Sequence, residues 1–232
     1  IDKFKKLKKI NNNFSNNMEG IFIHADISHE LSSNVQSKII KSMTKLNKNL
    51  IKQHIENQKF DIINCQFSIH YLFKSKQHIK NYFNNINKLL KNNGYLLITC
   101  FDADIIHNKL QKTNGSFIIN YMNNQSNLDI LFKIDQLYKT KDYNKDFNLS
   151  INVLNNLYSN VGKIEYLVKK EVLIDYANNF ANLELVESDT FYNIYKTWKN
   201  MINIIYNNNN YNTKLKNIYE NLIKDRKSTR LN

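Results

Sequence analysis

The stretch Phe60–Phe73, FDIINCQFSIHYLF, decides how this chain is read. Its first seven residues form an apolar run with Ile62, Ile63 and Cys65, the pattern of a buried strand. The run then gives way to Gln66, Phe67, His70 and Tyr71. Where an open parallel sheet runs out, its strand ends face a ligand crevice, so a polar and aromatic cluster there points to a site.

The surroundings repeat the pattern. Downstream, Ile79, Tyr82, Phe83, Ile86, Leu89 and Leu90 recur in steps suited to one helical face. That helix is expected to stop at KNNG (91–94), with Asn93 and Gly94 as a left-handed cap. GYLLITCFD (94–102) is nearly continuously apolar and reads as a strand buried on both faces. Upstream, Leu31, Val35, Ile39, Met43, Leu46 and Leu50 make one stripe, predicting a single helix from His29 to about Gln58. Before it, GIFIHAD (Gly20–Asp26) reads as a further buried strand ending in an acid. Strand, helix, strand, helix, strand is the order of an α/β protein with a parallel sheet and right-handed crossovers. The ends at Asp26, Gln66–Tyr71 and Phe101–Asp104 are expected to share one crevice.

From about residue 113 to 168 the pattern changes. SFIINYM, LDILFKI and DFNLSINV are short strand-like runs separated by Asn-rich turns, which predicts an antiparallel insertion. A helix over about 169–180, a strand LELVESDTF (Leu183–Phe191) and a helix over Tyr192–Tyr206 follow. At the start, Phe4, Leu7 and Ile10 are spaced as on a helix, so the chain opens within an element. At the end, DRKSTRLN (225–232) reads as the translation of a sequencing adapter. The expected organisation is a partial domain over 1–224, truncated at both ends, with a non-native tail over 225–232.

The chain has 232 residues, 42% hydrophobic and 23% charged, enough for one domain with a sizeable core. The net charge of +13 suits an anionic partner such as nucleic acid, although Asn- and Lys-rich runs also follow from AT-rich codons. Cys65 and Cys100 both lie in apolar runs, as reduced core thiols of an intracellular protein do. No cysteine spacing suits zinc, no metal is expected, and no apolar run approaches the roughly 20 residues of a membrane span.

FDIINCQFSIHYLF followed by a helix, and then NNGYLLITCFDADIIHNKL, resembles the mRNA cap guanine-N7 methyltransferases, in particular the viral version within large-DNA-virus capping enzymes. IEYLVKKEVLIDYANNFANLELVESDTF (Ile164–Phe191) and DFNLS (Asp146–Ser150) resemble later family segments. The resemblance covers roughly residues 20–195. It implies a class I, Rossmann-like fold that binds S-adenosyl-L-methionine and methylates N7 of the cap guanine during mRNA processing.

By that resemblance, Asp26 contacts the adenine of the cofactor, and Gln66 and Tyr71 line the cofactor site. Phe67 and His70 lie toward the guanine, and Glu165 reads its N1–H and N2–H donors. The residues alone also allow plainer readings: Asp26 as a turn residue, Phe67 and Tyr71 as core aromatics, His70 as a structural histidine, Glu165 as a solvated strand acid. His24, His29, His54, His78 and His107 show no paired spacing and read as surface residues. No general base is expected, because N7 already carries a free lone pair.

The chain departs from the family in three ways. The Gly-rich loop and the ribose-binding acid are expected upstream of Ile1, and the four glycines here form no such loop. The last family strand is expected beyond the C-terminus. Lys145 stands where some relatives carry an aromatic. The fragment alone is therefore expected to be inactive or nearly so. The implied partners are the capped mRNA 5′ end and other capping-enzyme domains or a stimulatory subunit, with no membrane. The other readings are a Rossmann-like methyltransferase of a small molecule and a non-catalytic methyltransferase-like module that binds RNA or a partner.

Overall fold

A computed structural model describes residues 20–122, 128–156 and 161–207. The chain divides into two compact units, residues 1–119 with 131–183, and residues 120–130 with 184–232. The opening helical spacing and the tail over 225–232 lie outside the described residues.

Helices α1 (Ser33–Ile39) and α2 (Lys45–His54) come first. Strand β1 (Phe60–Gln66), a 3-10 turn (Ile69–Lys74), helix α3 (Lys76–Leu89), strand β2 (Leu90–Thr99) and helix α4 (Ala103–Lys112) follow. β1 and β2 pair in parallel, with Cys65 opposite Ile98 and Gln66 opposite Thr99. Alternation along the strands sends Ile63, Cys65, Leu96 and Ile98 to one face. There they join Phe73, Ile79, Phe83 and Tyr176 in the first core. Phe73, Ile79 and Phe83 are fully buried, each worth about 1.5–3 kcal/mol of transfer free energy.

The α/β order is therefore present, with several differences from the sequence reading. Gly20–Asp26 forms no strand. Ile21 and Phe22 are about half exposed, and the backbone of His24 is held by the Asn47 side chain rather than by a ladder. The expected helix over 29–58 is two helices, because Thr44 starts a new one by accepting from the Asn47 amide at 3.1 Å. The outer face of β2 is not covered among the described residues: Tyr95 is 58% and Leu97 48% exposed. Asn93, with φ of 62°, sits inside β2 rather than capping a helix. It belongs to an irregularity where the register passes from Phe60–Leu90 to Ile62–Tyr95. Gly94 is needed there, since a Cβ would stand 2.9 Å from the Asp61 carbonyl oxygen.

The insertion is antiparallel as read. Strands β3 (Ser116–Met122), β4 (Leu128–Gln136), β5 (Ser150–Asn155) and β6 (Lys163–Tyr166) form one sheet in that order. Leu110 of α4 packs with Ile134, Leu149, Ile151 and Leu167 in a second core. Two backbone links place this insertion against the parallel pair. The Ala103 amide donates to the Val168 carbonyl at 3.3 Å, and the Asn148 amide donates to the Phe73 carbonyl at 2.9 Å. Helix α5 (Lys170–Ala181) then packs on α3 and ends at Asn182, whose φ of 52° is a left-handed cap.

The expected strand Leu183–Phe191 is irregular instead, and Leu185 and Val186 are exposed. In the second unit, helix α6 (Phe191–Asn207) starts after Thr190, whose hydroxyl accepts from the Asn193 amide at 3.2 Å. Phe191, Tyr192 and Trp198 are exposed on it.

Candidate functional site

The site is built at the carboxyl end of β1. Phe67 follows the strand with φ of 47°, a left-handed conformation that costs a bulky residue about 1–2 kcal/mol. Its amide donates to the Thr99 carbonyl at 3.0 Å and to the Thr99 hydroxyl at 3.1 Å, which holds the strained turn in place. The chain then enters the 3-10 turn, where Ile69, His70, Leu72 and Phe73 are buried and Tyr71 stays 44% exposed.

Glu165 reaches this turn from β6. On that strand Ile164 is 57% exposed while Glu165 is 9% exposed, so the apolar side chain faces out and the acid faces in. That inverts ordinary patterning, in which a strand sends its apolar residues to the core. Glu165 Oε2 stands 3.4 Å from His70 Nε2, and Tyr71 donates its hydroxyl to Glu165 Oε1 at 3.4 Å. Among the described residues, neither ring nitrogen of His70 nor Glu165 Oε2 finds a hydrogen-bond partner. A buried polar group without a partner costs about 1–3 kcal/mol, which singles this pair out.

Aromatic rings wall this pair. Phe101, the second residue past β2, stacks on His70 at 6.4 Å and 19°. It also lies 6.4 Å from the Phe67 ring and meets Phe132 of β4 edge-on at 6.2 Å. Burial pushes His70 down to about 4 and pushes Glu165 above the usual carboxylate range. The neighbouring carboxylate would favour an imidazolium, but the two groups are not aligned to hydrogen bond, and burial of both dominates. His70 is therefore a neutral imidazole at pH 7. Burial first, and then the Glu165 charge, raise Tyr71, which stays a phenol.

The structure thus brings Phe67, His70, Tyr71 and Glu165 together. Phe101 joins them, a residue that sequence reasoning placed at a strand end but not in the site. Gln66 stands at the tip of β1, where its Oε1 accepts from the Thr99 hydroxyl at 2.7 Å. Asp26 makes its contacts elsewhere. Its Oδ1 accepts from the Ser28 amide at 2.9 Å and hydroxyl at 2.6 Å, and its Oδ2 lies 3.4 Å from His29 Nδ1. Two histidines read as surface residues are in fact engaged: His29 on Asp26, and His107 stacked 3.6 Å from the Tyr143 ring. Among the described residues no group of three His, Cys, Asp or Glu could hold a metal ion, and no helix is long and apolar enough to cross a membrane.

These residues fit S-adenosyl-L-methionine in part. The Asp26 side chain is 42% exposed, and its carboxylate is an acceptor suited to an exocyclic amine. Gln66 is exposed at the strand tip. The methionine end finds no Gly-rich cradle: the glycines stand singly at 20, 94, 115 and 162.

Residues 3–229 match the mRNA (guanine-N(7))-methyltransferase domain. The chain is 41% identical over 211 residues to a probable mRNA-capping enzyme of Acanthamoeba polyphaga mimivirus, covering 89% of this chain and 17% of that protein. An mRNA cap guanine-N(7) methyltransferase 1 from Arabidopsis thaliana is 27% identical over 131 residues, 56% of this chain and 33% of that protein. The rice protein of the same name is 32% identical over 66 residues, 28% of this chain and 18% of its own length. A solved S-adenosylmethionine-dependent methyltransferase from Clostridium acetobutylicum is 17% identical with a TM-score of 0.42, over 80% of this chain and 59% of that one, too loose a likeness to carry an argument. The chain spans about a sixth of its mimivirus relative and a third or less of the plant ones. With a match running over nearly all of its length, the chain belongs to the mRNA (guanine-N7)-methyltransferase domain family.

Proposed function

We propose that this domain transfers the methyl group of S-adenosyl-L-methionine to N7 of the guanine at the 5′ cap of mRNA. The observation that carries the reading is the buried Glu165–His70 pair between aromatic walls, in which Glu165 Oε2 and both His70 ring nitrogens have no hydrogen-bond partner among the described residues. Guanine presents two adjacent donors, N1–H and N2–H, to the two oxygens of a carboxylate. Adenine cannot match that pattern. Glu165 is the guanine reader, and its charge also favours a base that becomes cationic on methylation.

His70 offers a polar edge beside the base. Because burial keeps it neutral, it sets no positive charge against the cationic product. Phe67 supplies a face for the ring system. Gln66 and Tyr71 lie on the cofactor side of the pocket, Tyr71 also bridging to Glu165, and Asp26 accepts the adenine amine. When bound, the cofactor supplies an activated methyl on a sulfonium. N7 holds a free lone pair, so no side chain has to remove a proton. Holding the reactants in line contributes on the order of 7–11 kcal/mol.

Exposed lysines suit the triphosphate bridge and backbone of a transcript, which they position without reading sequence. The reading places the domain where transcripts are made or capped, in company with other capping-enzyme domains. The test is methylation of capped RNA by the full-length protein and binding of GpppG. Glu165→Ala is expected to weaken guanine recognition, and His70→Ala to lower turnover. Full activity in both variants overturns the assignment of these positions.

A further inference from the structure

Asp26 lies in a segment that reads as a strand yet has no strand beside it among the described residues. Its backbone is held by side-chain carboxamides instead. Asn47 clamps His24, accepting from its amide at 2.8 Å and donating to its carbonyl at 2.7 Å. Gln36 clamps Asp26 in the same manner: Oε1 accepts from the Asp26 amide at 2.8 Å, and Nε2 donates to the Asp26 and Glu30 carbonyls, each at 2.9 Å. Asn81 donates to the Ser28 carbonyl at 2.8 Å. Asn85 donates to the His29 carbonyl at 2.7 Å and accepts from the Leu31 amide at 3.1 Å.

These side chains do what a neighbouring strand would do, satisfying backbone donors and acceptors in fixed directions. Gln36 is fully buried with three bonds made, so its amide is committed to the backbone and cannot itself meet a ligand. What it holds is Asp26. Both backbone groups of that residue are fixed by one rigid carboxamide, while its own carboxylate turns back onto Ser28 and stays 42% exposed. Ser28 and His29 fix the carboxylate itself, and the clamp fixes the backbone from which it projects.

We infer that Gln36 is a positioning residue for adenine recognition, aiming the Asp26 carboxylate at the exocyclic amine, with Asn47, Asn81 and Asn85 fixing the segment around it. The inference rests on the reading of Asp26 under the proposed function. A carboxylate displaced by a fraction of an ångström loses a directional hydrogen bond, while the guanine pocket, built on other elements, keeps its shape.

The test is binding to the full-length protein of S-adenosylhomocysteine, S-inosylhomocysteine, which lacks the exocyclic amine, and GpppG. Wild type is expected to prefer the adenosyl ligand by about tenfold. Gln36→Met is expected to bring that ratio close to one and leave GpppG affinity unchanged. A general loss of structure would weaken both ligands and move the ratio little. Because Gln36 is buried, Asn47→Ala at the more exposed clamp is measured alongside and is expected to lower the ratio less. An unchanged ratio in folded Gln36→Met overturns the positioning role. If that variant does not fold, Asn47→Ala decides in the same terms. A wild type with no preference, or an Asp26→Ala variant that keeps it, overturns the reading of Asp26 and the inference with it.

Discussion

Replacing Glu165 by Gln should move stability and recognition in opposite directions. In the free protein, Glu165 Oε2 is a buried carboxylate oxygen without a hydrogen bond, 3.4 Å from the neutral His70 ring. Glu165→Gln removes the buried charge and offers an amide N–H to the imidazole. Relief of one unsatisfied buried group amounts to about 1–3 kcal/mol. For a chain of this size each kcal/mol raises the Tm by roughly 2–4 °C. Toward guanine the same change is harmful. The carboxylate presents two acceptors to N1–H and N2–H, each charge-assisted bond contributing about 1.5–3 kcal/mol. The amide keeps one acceptor and turns a donor toward a donor. A loss of roughly 3 kcal/mol, near 100-fold in GpppG affinity, is expected. Thermal unfolding by circular dichroism and titration calorimetry with GpppG at pH 7 read the two effects. A lowered Tm together with an unchanged GpppG affinity refutes the reasoning.

Three further outcomes are expected. His70 is held near 4 by burial, whereas an unfolded histidine titrates near 6.5, so between those values the unfolded chain binds more protons. The stability His70 contributes is thus complete above pH 6.5 and lost as pH falls toward 4, by roughly 3 kcal/mol. Urea unfolding at pH 7 and pH 4 should show a smaller difference in His70→Phe, and an equal difference would place the imidazole in a charged environment. Phe67→Gly should relieve a left-handed backbone at φ of 47°, stabilising by up to about 1 kcal/mol, while weakening GpppG binding by loss of the ring. Denaturant midpoints and cap-analogue titrations check both signs. Phe83→Ala, fully buried in the core beneath the parallel pair, should cost about 3–5 kcal/mol in urea unfolding, and a cost under 1 kcal/mol would place it outside that core.

Much of this protein is legible from order along the chain. The apolar run of β1, the helical stripe of α3 and the near-continuous run of β2 announce a parallel pair with its crossover, and the Asn-punctuated runs of 116–155 announce the antiparallel sheet. The cluster from Gln66 to Tyr71 points to a candidate site because it follows the carboxyl end of β1, although only Cys65 of that strand is buried. Such features are local: hydrophobic periodicity reports which side of an element is buried, whatever buries it.

Where the reading departed from the structure, a distant partner decided. Gly20–Asp26 has the composition of a strand, yet carboxamides from Asn47 and Gln36 hold its backbone, and an amide far along the chain leaves no periodicity. The stripe from Leu31 to Leu50 is continuous while its helix is not, because Thr44 caps a second start. Glu165 is one acid in a short strand, and only the packing of β6 against the 3-10 turn puts it inside, facing His70, with Ile164 left in solvent. Sequence alone determined the parallel pair with its crossover helix and the antiparallel runs, and proposed where a site lies. Tertiary structure decided which polar groups are buried together there, because burial of a charge depends on what surrounds it in space and not on its neighbours in the chain.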